Sequence, residues 1–421
     1  MVTRTRTATA VALLCALALP VSTAATASAS AVAPRLSAPS SPSVPAPAAP
    51  RSSVASSVPA AFVSAARAEL PAPTGPYAVG SSVLHLVDRS RPDPWVREAG
   101  ARELMVTLHY PAARHSGPPG PRPAPAPYAT TEEARLLLRG LNLEQAVPAA
   151  RLAEMRTHSR RDARPARGRH PLVLLSPGFG VSRYTLTHLA EDLAGRGYVV
   201  ASVDHAYESL GTAMPGGRVL TCEACTAVEE GGVDESLVAA TRADDMSFVI
   251  DRLTGCHAVT KYAAMIDKRR IGMAGHSIGG AAAATAMVAD RRIGAGINMD
   301  GGFQEELPSG GLGGRPFMML GTDDAVHRPG GSDTSWNTVW PALDGWKRWL
   351  TVAGSEHFTF SDSPVISRHF GLPQPPLPAD RAVAITRTYV AAFLDVHLRG
   401  MDRPVLDGPT AAQPEVRFHR P

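Results

Sequence analysis

The chain has 421 residues, 44% of them apolar, with 42 Lys and Arg against 38 Asp and Glu, a net charge of +4. That length fits two or three average domains or one α/β fold with inserted loops, and the apolar fraction excludes a wholly disordered chain. The positive excess is dispersed: its densest cluster, residues 160–169, is interrupted by Ala163, Pro165 and Ala166 and reads as a solvated linker, not a nucleic-acid surface.

The first 33 residues have the plan of a secretory signal, with Arg4 and Arg6, an apolar core over residues 11–21, and A-x-A cleavage options over residues 25–33. That core is too short for a permanent membrane anchor. Cys15 follows Leu14 rather than a small residue, which argues against a lipid anchor, so an extracellular protein is expected. Residues 34–75 are dominated by Ala, Pro and Ser, bury too little apolar surface to fold, and are expected to be a disordered linker ahead of one folded domain over residues 76–421.

Within that domain a strand-like run over residues 104–110 leads into a Pro-rich stretch, residues 111–130, expected to be an excursion from the sheet edge. Leu136, Leu137, Leu141 and Leu143 predict short helices inside residues 131–165. Such helices can cover a site or touch lipid; ordinary packing is the expectation. From His170 onward strands alternate with helices, the pattern of a mostly parallel sheet covered on both faces.

Residues 172–175 form a buried strand ending at Ser176, Pro177 and Gly178, followed by a helix with Leu186, Leu189, Ala190 and Leu193 on one face. Residues 198–203 form the next strand, closed by Asp204 and His205. A long amphipathic helix over residues 234–253 turns Val238, Met246, Val249, Ile250 and Leu253 inward. Further strands are expected at residues 270–274, 293–299 and 316–320, and the last at 349–352. A closing helix over residues 380–398 takes Asp380 as its N-cap and Gly400 just past its end.

Without the signal, three cysteines remain, Cys222, Cys225 and Cys256. Export to an oxidising compartment predicts one disulfide. The C-x-x-C of Cys222 and Cys225 has no second pair and no suitably spaced His, so a loop staple is expected rather than a metal site.

The strongest chemical signal is Gly275-His276-Ser277-Ile278-Gly279, a G-x-S-x-G between a predicted strand and an Ala-rich helix. A nucleophile on so sharp a strand-to-helix turn needs flanking glycines, because side chains there collide with backbone. The context points to the α/β-hydrolase fold, with Ser277 as nucleophile. Serine needs a base. Of fourteen histidines, His357 in Gly354-Ser355-Glu356-His357 follows the last predicted strand, where the order Ser, acid, His puts the base. His276 fills the variable slot of the turn and is expected to point elsewhere, and His369 is a weaker alternative. Two strands between Ser277 and His357 end in carboxylates, Asp300 on one and Asp323 with Asp324 on the other; pattern alone slightly favours the later strand. The oxyanion hole requires two backbone N–H donors, and Ile278 and Phe179 of Gly178-Phe179-Gly180 are the candidates. No metal or organic cofactor is needed for this chemistry.

These segments resemble the plasma-type, isoform II platelet-activating factor acetylhydrolases and their bacterial relatives over residues 77–398. The likeness is clearest in residues 172–180 and 192–205, in residues 270–280 around Ser277, and in the His357 loop. The resemblance implies short acyl ester substrates, such as the sn-2 ester of a phospholipid, and places the acid directly after the nucleophile helix and its strand, at Asp300 in Met299-Asp300-Gly301. Pro177 stands where the family usually has His, and Ile278 where Phe is commoner; both changes bear on the pocket mouth. Within the same fold, an extracellular lipase or cutinase-like polyester hydrolase with Asp324 as acid is the alternative, and a catalytically silent binding protein is a remote one.

Overall fold

The computed structural model describes residues 67–113, 123–255 and 262–420. The expected signal segment, the linker up to residue 66, residues 114–122 of the Pro-rich stretch and Cys256 lie outside the described residues.

In chain order the strands are β1 (Ala78–Pro92), β2 (Ala101–Ala112), β3 (Arg160–Arg161), β4 (His170–Ser176), β5 (Val199–His205), β6 (Thr212–Ala213), β7 (Val219–Leu220), β8 (Ile266–His276), β9 (Ile293–Met299), β10 (Phe317–Thr322), β11 (Lys347–Val352) and β12 (Val416–His419). The helices are α1 (Thr131–Gly140), α2 (Ala149–Ala153), α3 (Thr187–Gly195), α4 (Glu223–Glu229), α5 (Glu235–Thr254), α6 (Ile278–Ala289), α7 (Ser335–Ala342), α8 (Ser363–Phe370) and α9 (Ala379–Arg399).

Ten strands form one sheet in the order β12-β11-β10-β9-β8-β4-β5-β2-β1-β3, and β6 pairs with β7 separately. From β5 to β11 every pairing is parallel. A parallel sheet needs both faces covered, which is why β4, β5 and β10 are buried along their whole length. On one face α5 and the Ala-rich α6 pack through Val238, Met246, Ile250, Ala282 and Ala283. On the other, α3 and α9 pack through Leu189, Leu193, Ile385, Tyr389 and Phe393. This is the α/β-hydrolase architecture, and it sets the carboxyl ends of β8, β9, β10 and β11 side by side.

Four expectations need correction. The last strand is β12, antiparallel to β11, and not residues 349–352: four residues behind a Pro-containing loop carry too little pattern to read. β1, fifteen residues with polar Ser81, Ser82, His85 and Asp88 among its apolar ones, was not expected. It pairs with β2, so the Pro-rich excursion leaves an interior strand and not the sheet edge. The folded body begins at Arg67 rather than residue 76, because Leu70 and Ala68 are buried and Leu70 N donates to Arg156 O at 3.0 Å. Pro378, not Asp380, is the N-cap of α9; the Asp380 carboxylate pairs with Arg368 instead.

The Leu-rich segment forms α1, opened by a reciprocal Thr130–Glu133 cap, and α2. Leu137, Leu138 and Leu152 pack with Leu70, Val181, Tyr184 and Val365, and Phe358 of the His357 loop lies against the same cluster. The exposed large apolar residues among those described, Tyr77, Val83, Leu237, Val288 and Met401, are all outside α1 and α2, which pack as an ordinary covering layer. Among the described residues no helix is long and apolar enough to cross a membrane.

Candidate active site

Ser277 sits between β8 and α6 with φ 56° and ψ −132°, a backbone conformation that L-residues rarely adopt. Three hydrogen bonds hold it there: Ser277 N donates to Met299 O at 2.8 Å, and Gly280 N and Ala281 N donate to Ser277 O at 2.7 and 3.2 Å. The flanking glycines are steric requirements. A Cβ on Gly275 would lie 2.1 Å from Gly279 O, and one on Gly279 would lie 2.3 Å from Ser176 O. Gly279→Ala is therefore expected to cost about 1–3 kcal/mol of stability, in the range of core overpacking. Thermal unfolding reads the stability, and turnover should fall with it, because relief of the clash has to move the turn carrying Ser277.

The imidazole of His357, on a short helical turn after β11, lies between two of the expected partners. Its Nε2 is 3.0 Å from Ser277 Oγ and its Nδ1 2.7 Å from Asp300 Oδ2. Asp300 follows β9, the neighbour of β8 in the sheet, at φ 61°. Its carboxylate is fully buried, and Oδ1 accepts from Thr322 N and Thr322 Oγ1, both at 2.8 Å. Burial alone would raise its pKa; hydrogen bonds and charge from His327 and His357 outweigh that and hold it well below the usual carboxylate range.

The other candidates are engaged elsewhere. Asp324 Oδ1 accepts from Val326 N at 2.8 Å and His327 N at 3.2 Å, which shapes the loop after β10. Asp323 pairs with Arg417 at 3.2 Å. His369 bonds to the backbone of Glu69. His276 points into the protein, as expected of the variable slot, but it has a partner the sequence did not suggest: its Nε2–H donates to the backbone carbonyl of His357 at 2.7 Å. Burial first, then the neighbouring His357, push its pKa down to about 3, so it is a neutral prop under the His357 loop.

Phe179 and Ile278, the two residues whose amides are expected to form an oxyanion hole, have no hydrogen bond from either N–H among the described residues. The Phe179 loop is anchored from below. Gly180 N donates to Glu208 O at 3.1 Å, and Arg242 donates to Pro177 O and, at 3.2 Å, to Ser176 Oγ. Arg242 is itself held by Glu208 at 2.8 Å, and the fully buried Arg102 pairs with Glu208, Asp93 and Asp245. Cys222 and Cys225 are joined as the expected staple, and Cys225 Sγ lies against Gly180 from this side.

His327 is the residue that sequence reading missed. Its Nδ1 is 3.1 Å from Asp300 Oδ1 and its Nε2 3.2 Å from Asp333 Oδ2. Burial opposes its charge, but the two carboxylates win and push its pKa up to about 10. Because the folded value lies above the ordinary 6.5, the stability it contributes is complete below about pH 6.5 and is lost as pH rises through about 10. The detectable signal was its place after the end of β10, on the same sheet edge as Asp300. Asp300, His327 and His357 are the cluster among the described residues whose ligand-type atoms lie within 4.8 Å of one another, and the Asp300 oxygens in it already accept from His357 and Thr322, while His327 Nδ1 makes no hydrogen bond.

Residues 62–215 match the sequence profile of a family described as platelet-activating factor acetylhydrolase, isoform II. A probable 1-alkyl-2-acetylglycerophosphocholine esterase from Arthroderma benhamiae is 30% identical over 394 residues, covering 87% of this chain and 96% of the relative. Among solved structures, a ferulic acid esterase from Streptomyces cinnamoneus is 45% identical, with a TM-score of 0.74 over 84% of this chain and all of that one.

Proposed function

The chain belongs to the isoform II platelet-activating factor acetylhydrolase family and is a carboxylic ester hydrolase, and from that premise we propose that it works through Ser277, His357 and Asp300 by way of an acyl-enzyme. The observation that supports this reading most is the single imidazole spanning Ser277 Oγ at 3.0 Å and the Asp300 carboxylate at 2.7 Å.

In the first step Ser277 Oγ attacks the ester carbonyl while His357 Nε2 takes the hydroxyl proton. Asp300 fixes the tautomer with Nδ1–H and favours the imidazolium that forms. The negative charge on the carbonyl oxygen is met by the Phe179 and Ile278 amides, each donor of this kind being worth about 3 kcal/mol. The tetrahedral intermediate collapses, His357 protonates the leaving alkoxide, and the alcohol departs. Water then enters, gives its proton to His357, attacks the acyl carbon, and Ser277 leaves with the proton returned. These steps need no metal or organic cofactor.

Short acyl esters are the proposed substrates, including the sn-2 acetyl group of a phospholipid, the substrate type named for the Arthroderma relative. A second reading, hydroxycinnamoyl esters, is favoured by the 45% identity to the ferulic acid esterase. Rates on p-nitrophenyl esters from acetate to palmitate, on a short-acyl phospholipid and on methyl ferulate separate them. The highest kcat/KM is expected on acetate or butyrate. A maximum at decanoate or longer overturns the short-acyl reading in favour of a lipase or cutinase, and methyl ferulate cleaved faster than the phospholipid favours the second reading. The charged, then apolar, then A-x-A order of the first 33 residues supports export, so the mature protein is proposed to be extracellular.

A further inference from the structure

We propose that Arg242 is a positioning residue for the oxyanion hole: bound to Pro177 O and to Glu208, it clamps the Phe179 loop on both sides, so that the Gly178–Phe179 peptide presents its N–H, and not its carbonyl, to the developing oxyanion. This rests on the triad reading above.

A donor between Gly178 and Gly180 is not held by its own side chains. Glycine lets the rigid peptide plane beside it rotate, and Gly180 sits at φ 75°. The bond this peptide itself makes is weak: Val181 N donates to Gly178 O at 3.4 Å. A half-turn of the plane would bring Gly178 O to the side where Phe179 N–H lies, replacing a donor by an acceptor. The stronger bonds lie on either side of the peptide. Before it, Arg242 Nη1 donates to Pro177 O and, at 3.2 Å, to Ser176 Oγ, which lies 3.0 Å from His205 Nε2. After it, Gly180 N donates to Glu208 O at 3.1 Å and Leu210 N to Gly180 O at 2.9 Å, so that Gly180 pairs with Ser209 in a single parallel bridge.

Both sides meet in one ion pair. Arg242 Nε donates to Glu208 Oε2 at 2.8 Å, and each side chain is 1% exposed. The other oxygen of Glu208 accepts from Trp95 Nε1 at 2.9 Å and from Arg102 Nη2 at 2.8 Å. The side chain that bonds Pro177 O therefore also fixes the residue whose carbonyl takes Gly180 N. Its shape matters as well as its charge. The planar guanidinium serves Glu208 through Nε and Pro177 through Nη1 at once, and an ammonium on a flexible stem does not reproduce that fork. A hydrogen bond to the oxyanion gains strength as charge develops, so misplacing its donor lowers kcat and leaves substrate binding largely unchanged.

The test is Arg242→Lys and Arg242→Gln on p-nitrophenyl acetate, with rates expressed per active site by end-point titration of Ser277 with a fluorophosphonate. A merely structural role lowers the melting temperature and the number of sites labelled, but not the rate per site. The expected result is kcat/KM per site lower by about 10–100-fold, short of the roughly 10²–10³-fold cost of losing a whole donor, with KM within about threefold of wild type. A short-chain trifluoromethyl ketone gives the second readout. Ser277 Oγ adds to its carbonyl, the hydroxyl proton passes to His357, and the hemiketal oxyanion occupies the hole. Its inhibition constant should weaken by about the factor that kcat/KM loses. A rate per site within about threefold of wild type in both variants, or an inhibition constant that does not weaken, overturns the proposal. If neither variant folds, hydrogen exchange of the unaltered protein decides: Gly180 and Leu210 amides protected equally with and without the ketone support a loop clamped in advance, and protection that appears only with the ketone overturns it. A wild type that neither takes up the fluorophosphonate nor binds the ketone overturns the triad reading, whereas a labelled wild type with unchanged variants overturns the role of Arg242 alone.

Discussion

Ser277→Ala is expected to lower kcat/KM for a short acyl ester by roughly 10⁵–10⁶-fold, with a melting temperature close to that of the unaltered protein. The two halves of this expectation have separate causes. Removal of Oγ leaves water as the attacking group, and His357 and Asp300 then have nothing to activate at the right distance, so little of their contribution survives. What remains comes from binding and from the Phe179 and Ile278 amides, which is the residue of rate that triad variants usually retain. The fold loses little because Ser277 Oγ has His357 Nε2 as its side-chain partner, while the hydrogen bonds that hold the turn run through the Ser277 backbone. Alanine at φ 56° carries the same strain as serine, so the turn is no worse off. A fluorophosphonate probe should label the wild type at Ser277 and leave the variant untouched. Retention of activity within tenfold would remove Ser277 from the mechanism, and failure of the wild type to label would favour the binding-protein reading.

The central sheet was legible in the sequence because parallel strands buried on both faces are near-continuous apolar runs, as residues 172–175 and 317–320 are. The tight turn that carries Ser277 was legible for a steric reason: only glycine fits at positions 275 and 279. β1 and β12 escaped because antiparallel edge regions tolerate polar residues on one face, and their signal is correspondingly dilute. The division of labour among the carboxylates at the sheet edge could not be read from spacing either. Asp300 and Asp324 both follow strands, and the choice depends on a positive φ at 300 and on where the loop after β10 turns. The same loop hides His327, whose nearness to Asp300 is a tertiary fact with a sequence separation of 27 residues. The buried arginines under Phe179 were illegible for the opposite reason, since Arg102 and Arg242 look like surface charges until their partners are known.

Asp300→Asn and Asp324→Asn are expected to differ by about three orders of magnitude in turnover. In the first, the amide oxygen can keep accepting from Thr322 N and Oγ1, as Oδ1 does now, which leaves the NH₂ facing His357 Nδ1. Two donors cannot share that contact, so His357 turns to the tautomer with its proton on Nε2, and Nε2 then faces Ser277 Oγ as a donor rather than a base. A wrong tautomer with otherwise intact geometry lowers kcat by about 10⁴-fold in comparable triads. In the second variant the side-chain oxygen of Asn still accepts from Val326 N and His327 N, as Oδ1 of Asp324 does, so the loop keeps its shape and the loss should stay below about tenfold. Steady-state kinetics on p-nitrophenyl acetate measure both. If Asp324→Asn abolished turnover and Asp300→Asn did not, the acid would belong to the later strand, as in the cutinase-type alternative, and the pairing of His357 with Asp300 would be structural.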